Sequence, residues 1–171
     1  MMVRMMKEVL MKKAWLILAT VSILAFCNSN FSIGFKTDLF TGLKVSYKGL
    51  GVEESYLEVN KEKLKKNEVD MGAKVFLYLR EVQGFVEKAG RVYPGASMTV
   101  TGPGGEMVID KKDLYAQFDG SGVSPADAKY LSLALLVGDP MEEGKTYVWK
   151  GRIWDKNGKG QITTEVKIRI K

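Results

Sequence analysis

The sequence predicts an all-β fold, an antiparallel β-sandwich of about seven strands, and two observations carry this prediction. From about residue 39 onward, apolar residues alternate with polar ones in short runs, which is the pattern of half-buried strands. Turn-forming residues separate these runs, and helical periodicity is almost absent. A chain of 171 residues with 46% hydrophobic and 27% charged residues fits one ordinary globular domain.

The predicted strands follow one another with little ambiguity. Alternating apolar residues occupy five stretches, at 43–47, 57–59, 75–79, 98–109 and 131–137. The stretch at 75–79 is apolar on nearly both faces, because Phe76 and Tyr78 stand between its aliphatic residues, and we therefore expect a central strand there. Gly102-Pro-Gly-Gly105 predicts a turn between two strands.

The C-terminal third predicts a β-hairpin. Its first strand places Trp149 on the face that we assign to the core and Trp154 on the opposite face. Residues 162–170 then alternate strictly, with Ile, Thr or Val at the even positions and polar residues at the odd ones. Between the two strands, Asn157-Gly158 is the favoured pair for a tight turn with positive φ.

Two short motifs refine the fold. Ser124-Pro-Ala-Asp127 offers an N-cap, a first-turn proline and an acid, and predicts one short helix. Residues 141–147, which run from Met141 through Gly144 to Tyr147, resemble the tyrosine corner of fibronectin type III and immunoglobulin-like domains, with Met141 where leucine is usual. The resemblance implies an immunoglobulin-like topology, in which the phenol bonds to a nearby backbone group.

The N-terminus has the layout of a secretory signal. Residues 14–26 form an uncharged run of 13 residues that follows Lys12-Lys13. This run is shorter than the roughly 20 residues that a membrane-spanning helix needs. We expect a signal helix within a signal peptide at 1–26, with Met11 as an alternative start, a tether at 27–38 and the sandwich domain at 39–171.

Cys27, the single cysteine of the chain, follows directly on the apolar run. A lone thiol cannot form an internal disulfide. The segment resembles the lipobox of bacterial lipoproteins, since Leu24, Ala25 and Cys27 match that pattern and Phe26 departs from it. The resemblance implies that Cys27 carries lipid and that the protein is exported to the cell envelope, on the outer membrane or a periplasmic face.

Composition argues against several classes of function. Positions 1–26 hold four basic residues and one acid, so they contribute half of the net charge of +6. The mature chain therefore carries a net charge of +3, and nucleic-acid binding is not expected. The chain contains no histidine, which excludes histidine-dependent triads and most zinc sites. We expect no cofactor.

Two loops imitate ligand-binding motifs. Residues 138–146 end in Gly-Lys-Thr, but their glycine spacing differs by one residue from a phosphate loop and strand-forming residues follow, so no nucleotide is expected. Residues 155–160 have some features of a calcium loop, but Lys159 stands at the fifth ligand position. A cation there predicts that no metal binds.

The remaining features predict a non-catalytic, lipid-tethered module that binds an envelope protein or a glycan. The candidate contact residues are Trp154, Asp155, Asn157 and Lys159 at the hairpin, joined by the 102–105 loop. For Trp154, core or edge packing is the favoured interpretation, and ligand contact applies if the ring is exposed. Residues 61–66, the densest basic stretch, could contact anionic glycans or lipid headgroups, or form a solvated loop.

The alternative is a carboxylate-dependent enzyme that acts on envelope polysaccharide. Such an enzyme needs two acids held across a cleft. The candidate pairs are Glu53 with Glu54, Asp110 with Asp113, and Glu142 with Glu143. Solvated turn positions explain the same acids equally well.

Overall fold

The structure is a computed structural model that describes residues 32–171. The predictions made for the signal peptide, Met11 and Cys27 lie outside the described residues. Two single-turn 3₁₀ helices occur at Ala116–Phe118 and Asp127–Lys129. The strands of the described part are β1 Ile33–Thr37, β2 Lys44–Lys48, β3 Glu54–Val59, β4 Glu62–Lys63, β5 Glu68–Val69, β6 Lys74–Arg80, β7 Pro94–Thr101, β8 Met107–Lys111, β9 Tyr130–Leu136, β10 Thr146–Asp155 and β11 Gln161–Ile170.

The strands form the two sheets of a β-sandwich, which confirms the predicted fold class. The larger sheet has the order β1-β2-β11-β10-β7-β8, and the smaller sheet has the order β4-β3-β6-β9. Every pair within these orders is antiparallel, and β5 adds a short parallel pairing to the end of β11. Beyond the predicted stretches, the structure adds β1, β4 and β5, of which β4 and β5 have only two residues each.

Seven strands have the order of an immunoglobulin-like sandwich. In the smaller sheet β3, β6 and β9 occupy the A, B and E positions, and in the larger sheet β11, β10, β7 and β8 occupy G, F, C and C′. Tyr147 opens β10, and its phenol oxygen accepts a hydrogen bond from the backbone N–H of Glu142 at 2.9 Å. The predicted tyrosine corner contact is therefore present.

The core lies between the sheets and uses the faces that the alternation predicts. Leu57, Leu77 and Leu133 project inward from the smaller sheet and are at most 1% exposed. From the larger sheet, Trp149 is 1% exposed, and every even-numbered residue from 162 to 170 is buried. Gly151 marks a close approach of the sheets, because a Cβ at this position would overlap the Leu133 side chain.

The tether predicted at 27–38 contains a strand. Residues 33–37 form β1, which pairs along β2 from Ile33 opposite Lys48 to Thr37 opposite Lys44. Gly34, a weak strand former, hides the pattern in the sequence. The structure needs glycine there because a Cβ would overlap the ring of Tyr47 on β2.

Two predictions about loops can be compared with the structure: the turn at Asn157-Gly158 and the short helix after Ser124. The tight positive-φ turn is not at Asn157-Gly158. It lies between β3 and β4, where Asn60 and Lys61 have φ of 53° and 68°. The short helix predicted after Ser124 is a single 3₁₀ turn whose N-cap is Ala126, and Ser124 Oγ accepts the Asp127 N–H at 3.0 Å just before it. Within residues 32–171 no helix has the length and hydrophobicity to cross a membrane.

Candidate functional site

The four predicted contact residues lie together at the β10–β11 hairpin, but they differ in accessibility. Asn157 and Lys159 are exposed in the loop, and Trp154 is half-buried at the end of β10. Asp155 is only 3% exposed. The first three therefore remain available to a ligand, whereas Asp155 is enclosed by the protein.

Asp155 organises the hairpin loop. Its Oδ1 accepts the N–H of Asn157 at 2.9 Å, and its Oδ2 accepts the N–H of Val86 at 2.7 Å. The carboxylate thus closes the turn and fastens the loop to the segment before β7. This arrangement explains why the loop spans residues 155–160 instead of adopting the predicted two-residue turn.

Trp154 packs along the larger sheet. A Cβ on Gly95 of β7 would overlap the indole, so one side of the ring lies directly on the β7 backbone. The Arg152 guanidinium carbon also stands 5.4 Å from the ring centroid. Trp154 is therefore half-buried on the outer face of the larger sheet, on an interior strand and outside the core.

The 102–105 loop does not join the hairpin in one surface. Strand β7 pairs with β10 from Pro94 opposite Asp155 to Thr101 opposite Val148. The loop after Thr101 therefore lies at the end of β7 remote from the hairpin. The two ends of this eight-residue strand are about 23 Å apart.

Lys156 fixes the hairpin to the long segment between β8 and β9. Its Nζ donates to Asp113 Oδ2 at 2.6 Å and also contacts Asp119. Burial alone would raise the pKa of Asp113, but the hydrogen bonds from Lys156, Tyr115 N–H and Ala96 N–H outweigh it and hold this pKa below its usual value. The Lys156 pKa is raised because its two carboxylate partners outweigh its own desolvation.

The acids considered for catalysis occupy different parts of the fold. Asp113 belongs to the Lys156 cluster, and Asp110 on β8 pairs with Lys112 at 2.6 Å. Glu54 pairs with Lys63 across the edge of the smaller sheet. Within residues 32–171 no three acids or other metal-ligating side chains group closely enough to hold a metal ion.

The most distinctive surface is one that the hairpin-centred prediction missed. We call it the aromatic face, the outer side of the smaller sheet that carries Tyr56, Phe76, Tyr78, Arg80 and Tyr130. Strand pairing sets Tyr56 directly opposite Tyr78, and Arg80 directly opposite Tyr130. Tyr130 is 55% exposed, and Phe76 and Tyr78 are half-buried.

The rings of this face contact one another and a central cation. The Tyr56 and Tyr78 centroids are 5.4 Å apart, and those of Phe76 and Tyr78 are 5.8 Å apart in a stacked arrangement. The Arg80 guanidinium carbon lies 5.6, 5.5 and 5.7 Å from the centroids of Tyr56, Tyr78 and Tyr130. Arg80 Nε also donates to the Tyr56 phenol at 2.7 Å, which fixes the guanidinium on the sheet.

Lysines border the aromatic face. Lys63 Nζ stands 4.0 Å from the Tyr56 centroid, and Lys74 Nζ stands 5.0 Å from the Phe76 centroid. Lys63 belongs to the basic stretch 61–66, which the structure places around β4 at the edge of this face. Lys63 therefore joins the basic stretch to the aromatic rings.

Two phenols define the β9 side of this surface. The Tyr115 phenol donates to the carbonyl of Ser132 at 2.7 Å and accepts the Ser132 N–H at 3.1 Å, so it caps the edge of β9. Burial raises the Tyr115 pKa. The Tyr130 phenol donates to Glu81 at 2.8 Å, and this hydrogen bond raises the Tyr130 pKa. Both phenols therefore stay protonated at neutral pH.

A second surface is a shallow trough on the outer side of the larger sheet. It has a volume of about 350 Å³. Short hydroxyl side chains form much of its floor, and the Ser46 and Thr163 hydroxyls lie 3.0 Å apart. Phe35 of β1 stands at one side, Ser97 and Thr99 of β7 stand at the other, and Lys150 and Arg152 of β10 lie between them.

The sequence matches no known family model and no curated protein. A sequence signal for the aromatic face did exist, because Phe76 and Tyr78 made β6 apolar on both sides. That pattern correctly predicted a central strand, but within residues 32–171 only one of its two sides is covered by the opposite sheet.

Proposed function

We propose that this protein is a non-catalytic glycan-binding module of the bacterial cell envelope, exported and tethered to the membrane by lipid on Cys27. The aromatic face is the binding surface. The observation that carries the proposal is the cluster of Tyr56, Phe76, Tyr78 and Tyr130 around Arg80 on an outer sheet face. The immunoglobulin-like strand order supports this interpretation, since such sandwiches commonly serve as binding scaffolds.

The chemistry of the aromatic face fits sugars. Pyranose rings present apolar C–H faces and polar edges, and aromatic rings offer the matching flat apolar surface. Arg80, Lys63 and Lys74 supply hydrogen-bond donors beside the rings. These cations favour glycans that carry carboxylate or phosphate groups, because a charge-assisted hydrogen bond is about twice as strong as a neutral one.

The size of the face favours a glycan over a folded protein partner. Strand β6 has seven residues, and three strands at their usual spacing give a surface of roughly 23 by 14 Å, about 320 Å². A standard protein interface buries about 800 Å² on each partner. The face therefore suits a chain of a few sugar rings better than a globular domain.

The amino-terminal sequence supports the tether. The basic pair Lys12-Lys13, the apolar run 14–26 and the lipobox-like position of Cys27 together have the layout of a lipoprotein signal. Each buried methylene of an attached acyl chain contributes about 0.8 kcal/mol of membrane affinity. In fractionated cells, Cys27→Ala should leave the membrane fraction and appear soluble, and a variant that stays membrane-bound would contradict the lipid anchor.

Glycan binding is tested with the detergent-solubilised full chain by affinity electrophoresis in gels that contain neutral or acidic envelope polysaccharide. We expect acidic polysaccharide to retard the wild type. Phe76→Ala should weaken the affinity for this polysaccharide at least tenfold, which corresponds to about 1.4 kcal/mol. Phe35→Ala, which removes an exposed phenylalanine from the other sheet, is the matched control and should bind normally.

The same experiment can fail in recognisable ways. If the wild type migrates equally in every gel, the glycan proposal is wrong. If Phe76→Ala and Phe35→Ala weaken retention equally, the aromatic face is not the binding surface. Release of reducing sugars by the wild type during the assay would instead support the carboxylate-dependent enzyme.

A further inference from the structure

The hairpin between β1 and β2 presents apolar side chains to solvent. Leu39 is 92% exposed and Phe40 is 75% exposed at its tip, and they are the two most exposed large apolar residues within 32–171. Ile33 and Phe35 on β1 are 66% and 65% exposed. We call these four residues the apolar edge. Four such residues in one short segment are an unusual concentration for a soluble surface.

Hydrogen bonds from Asp38 fix the conformation of the tip, which directs Leu39 and Phe40 outward. The Asp38 carbonyl accepts the N–H of Gly42 at 2.9 Å, and Asp38 Oδ1 accepts the N–H of Phe40 at 2.7 Å. Thr41, the next residue, is only 2% exposed. The loop therefore turns a polar residue inward and two apolar residues outward, an arrangement that contributes nothing to the core.

We propose that the apolar edge rests on the lipid bilayer and inserts Leu39 and Phe40 among the acyl chains. The proposal rests on the lipid anchor of the proposed function. Five residues separate Cys27 from Ile33 and span at most about 20 Å when extended, so the anchor holds the Ile33 end of β1 close to the membrane surface. β1 has five residues and is about 17 Å long, so Leu39 and Phe40 at its far end reach the same surface when the strand lies along the membrane.

A bilayer fits this edge better than a protein partner does. The tip is a two-residue projection, and insertion of a few ångströms into the headgroup and acyl boundary buries it without requiring a complementary surface. The exposed Lys44, which begins β2 beside the tip, suits anionic headgroups. β1 belongs to the larger sheet, so this orientation leaves the aromatic face on the opposite sheet open to glycan.

The test uses the lipidated full chain with Leu39→Cys, labelled with an environment-sensitive fluorophore. Cys27 is the only native cysteine, so a lipidated chain offers the new thiol alone for labelling. The protein is reconstituted in vesicles of equal parts phosphatidylethanolamine and phosphatidylglycerol, with and without a nitroxide-labelled lipid. Lys111→Cys, at an exposed position of β8 on the opposite edge of the larger sheet from β1, is the matched control.

We expect a blue-shifted emission and nitroxide quenching at position 39, and neither at position 111. Water-like emission at both positions on membrane-bound protein would overturn the apolar-edge proposal and leave the anchor intact. A blue shift at position 39 that depends on protein concentration and not on nitroxide lipid would overturn it in favour of a second copy of the chain.

A failure of the anchor is recognised separately. If Cys27 of the wild type reacts with the fluorophore, the lipid assignment is wrong. The edge is then measured in the Cys27→Ser chain with the same vesicles added. Two results would support bilayer contact without the acyl anchor. One is nitroxide quenching at position 39, and the other is vesicle binding that falls about tenfold when Leu39 and Phe40 are both replaced by serine. Unchanged binding would reject it.

Discussion

Neighbouring residues of β11 should respond oppositely to the same substitution. Ile168 is 1% exposed and lies opposite Tyr147 of β10, whereas the Lys167 side chain projects into solvent. We predict that Ile168→Asp unfolds the domain and that Lys167→Asp is nearly silent. The contrast arises because successive residues of a strand point to opposite sides of the sheet.

The magnitude follows from burial. Removing a fully buried Ile side chain from the core forfeits about 2–3 kcal/mol of hydrophobic stabilisation. Placing an unpaired carboxylate there costs several kcal/mol more, even after partial relaxation or protonation. The total exceeds about 5 kcal/mol and so approaches the whole stability of an ordinary domain, about 5–15 kcal/mol. An exposed substitution such as Lys167→Asp stays within about 0.5 kcal/mol.

Urea unfolding measures this contrast. The fluorescence of Trp149, which is 1% exposed, reports loss of the core, and far-ultraviolet circular dichroism reports loss of the strands. If Ile168→Asp cannot be purified, Ile168→Ala should still lower the free energy of unfolding by about 2–5 kcal/mol. Equal destabilisation by the two aspartate substitutions would refute the assigned inward face of β11.

Three further predictions test individual contacts. Lys61→Gly should raise the melting temperature by about 2–4 °C, because φ of 68° costs a side-chain-bearing residue about 1 kcal/mol, and an unchanged value would argue against the tight turn. Lys156→Met should lower the melting temperature at neutral pH. This difference in melting temperature should shrink at a pH below the ordinary Asp value of 3.8, where Asp113, whose pKa is lowered, becomes protonated and loses its charge. It should also shrink above the ordinary Lys value of 10.5, where Lys156, whose pKa is raised, loses its proton. A difference that does not change with pH would contradict the ion pair. Tyr147→Phe should cost about 1 kcal/mol in urea unfolding by leaving the Glu142 N–H without its acceptor, and a silent change would reject the corner contact.

The sequence predicted the parts of the fold in which one physical signal dominates. Strict alternation in residues 162–170 settles which side of β11 is buried, because burial of that side outweighs other contributions. The hydrogen bond from the Asp127 N–H to Ser124 Oγ and the Tyr147 corner were likewise predictable, since each depends on residues only a few positions apart. Local patterns of this kind need no knowledge of the rest of the chain.

Other features depend on contacts that the sequence does not display. The conformation of the hairpin loop is set by Asp155, whose second carboxylate oxygen bonds to Val86, 69 positions away. The tight turn lies at Asn60-Lys61, although lysine is not a residue that usually signals positive φ. β1 escaped prediction because Gly34 interrupts its pattern to make room for a ring on the next strand.

The aromatic face was missed because alternation cannot show which apolar side of a strand is covered. The structure adds how such a face remains soluble. Tyr56 is only 7% exposed, because Lys63 and Arg80 lie against its ring. Arg80 is fixed by its hydrogen bond to the Tyr56 phenol, whereas Lys63 is held by an exposed ion pair with Glu54, which typically contributes at most about 1 kcal/mol. A ligand could therefore displace Lys63 at little cost and find Arg80 already in place beside three tyrosine rings.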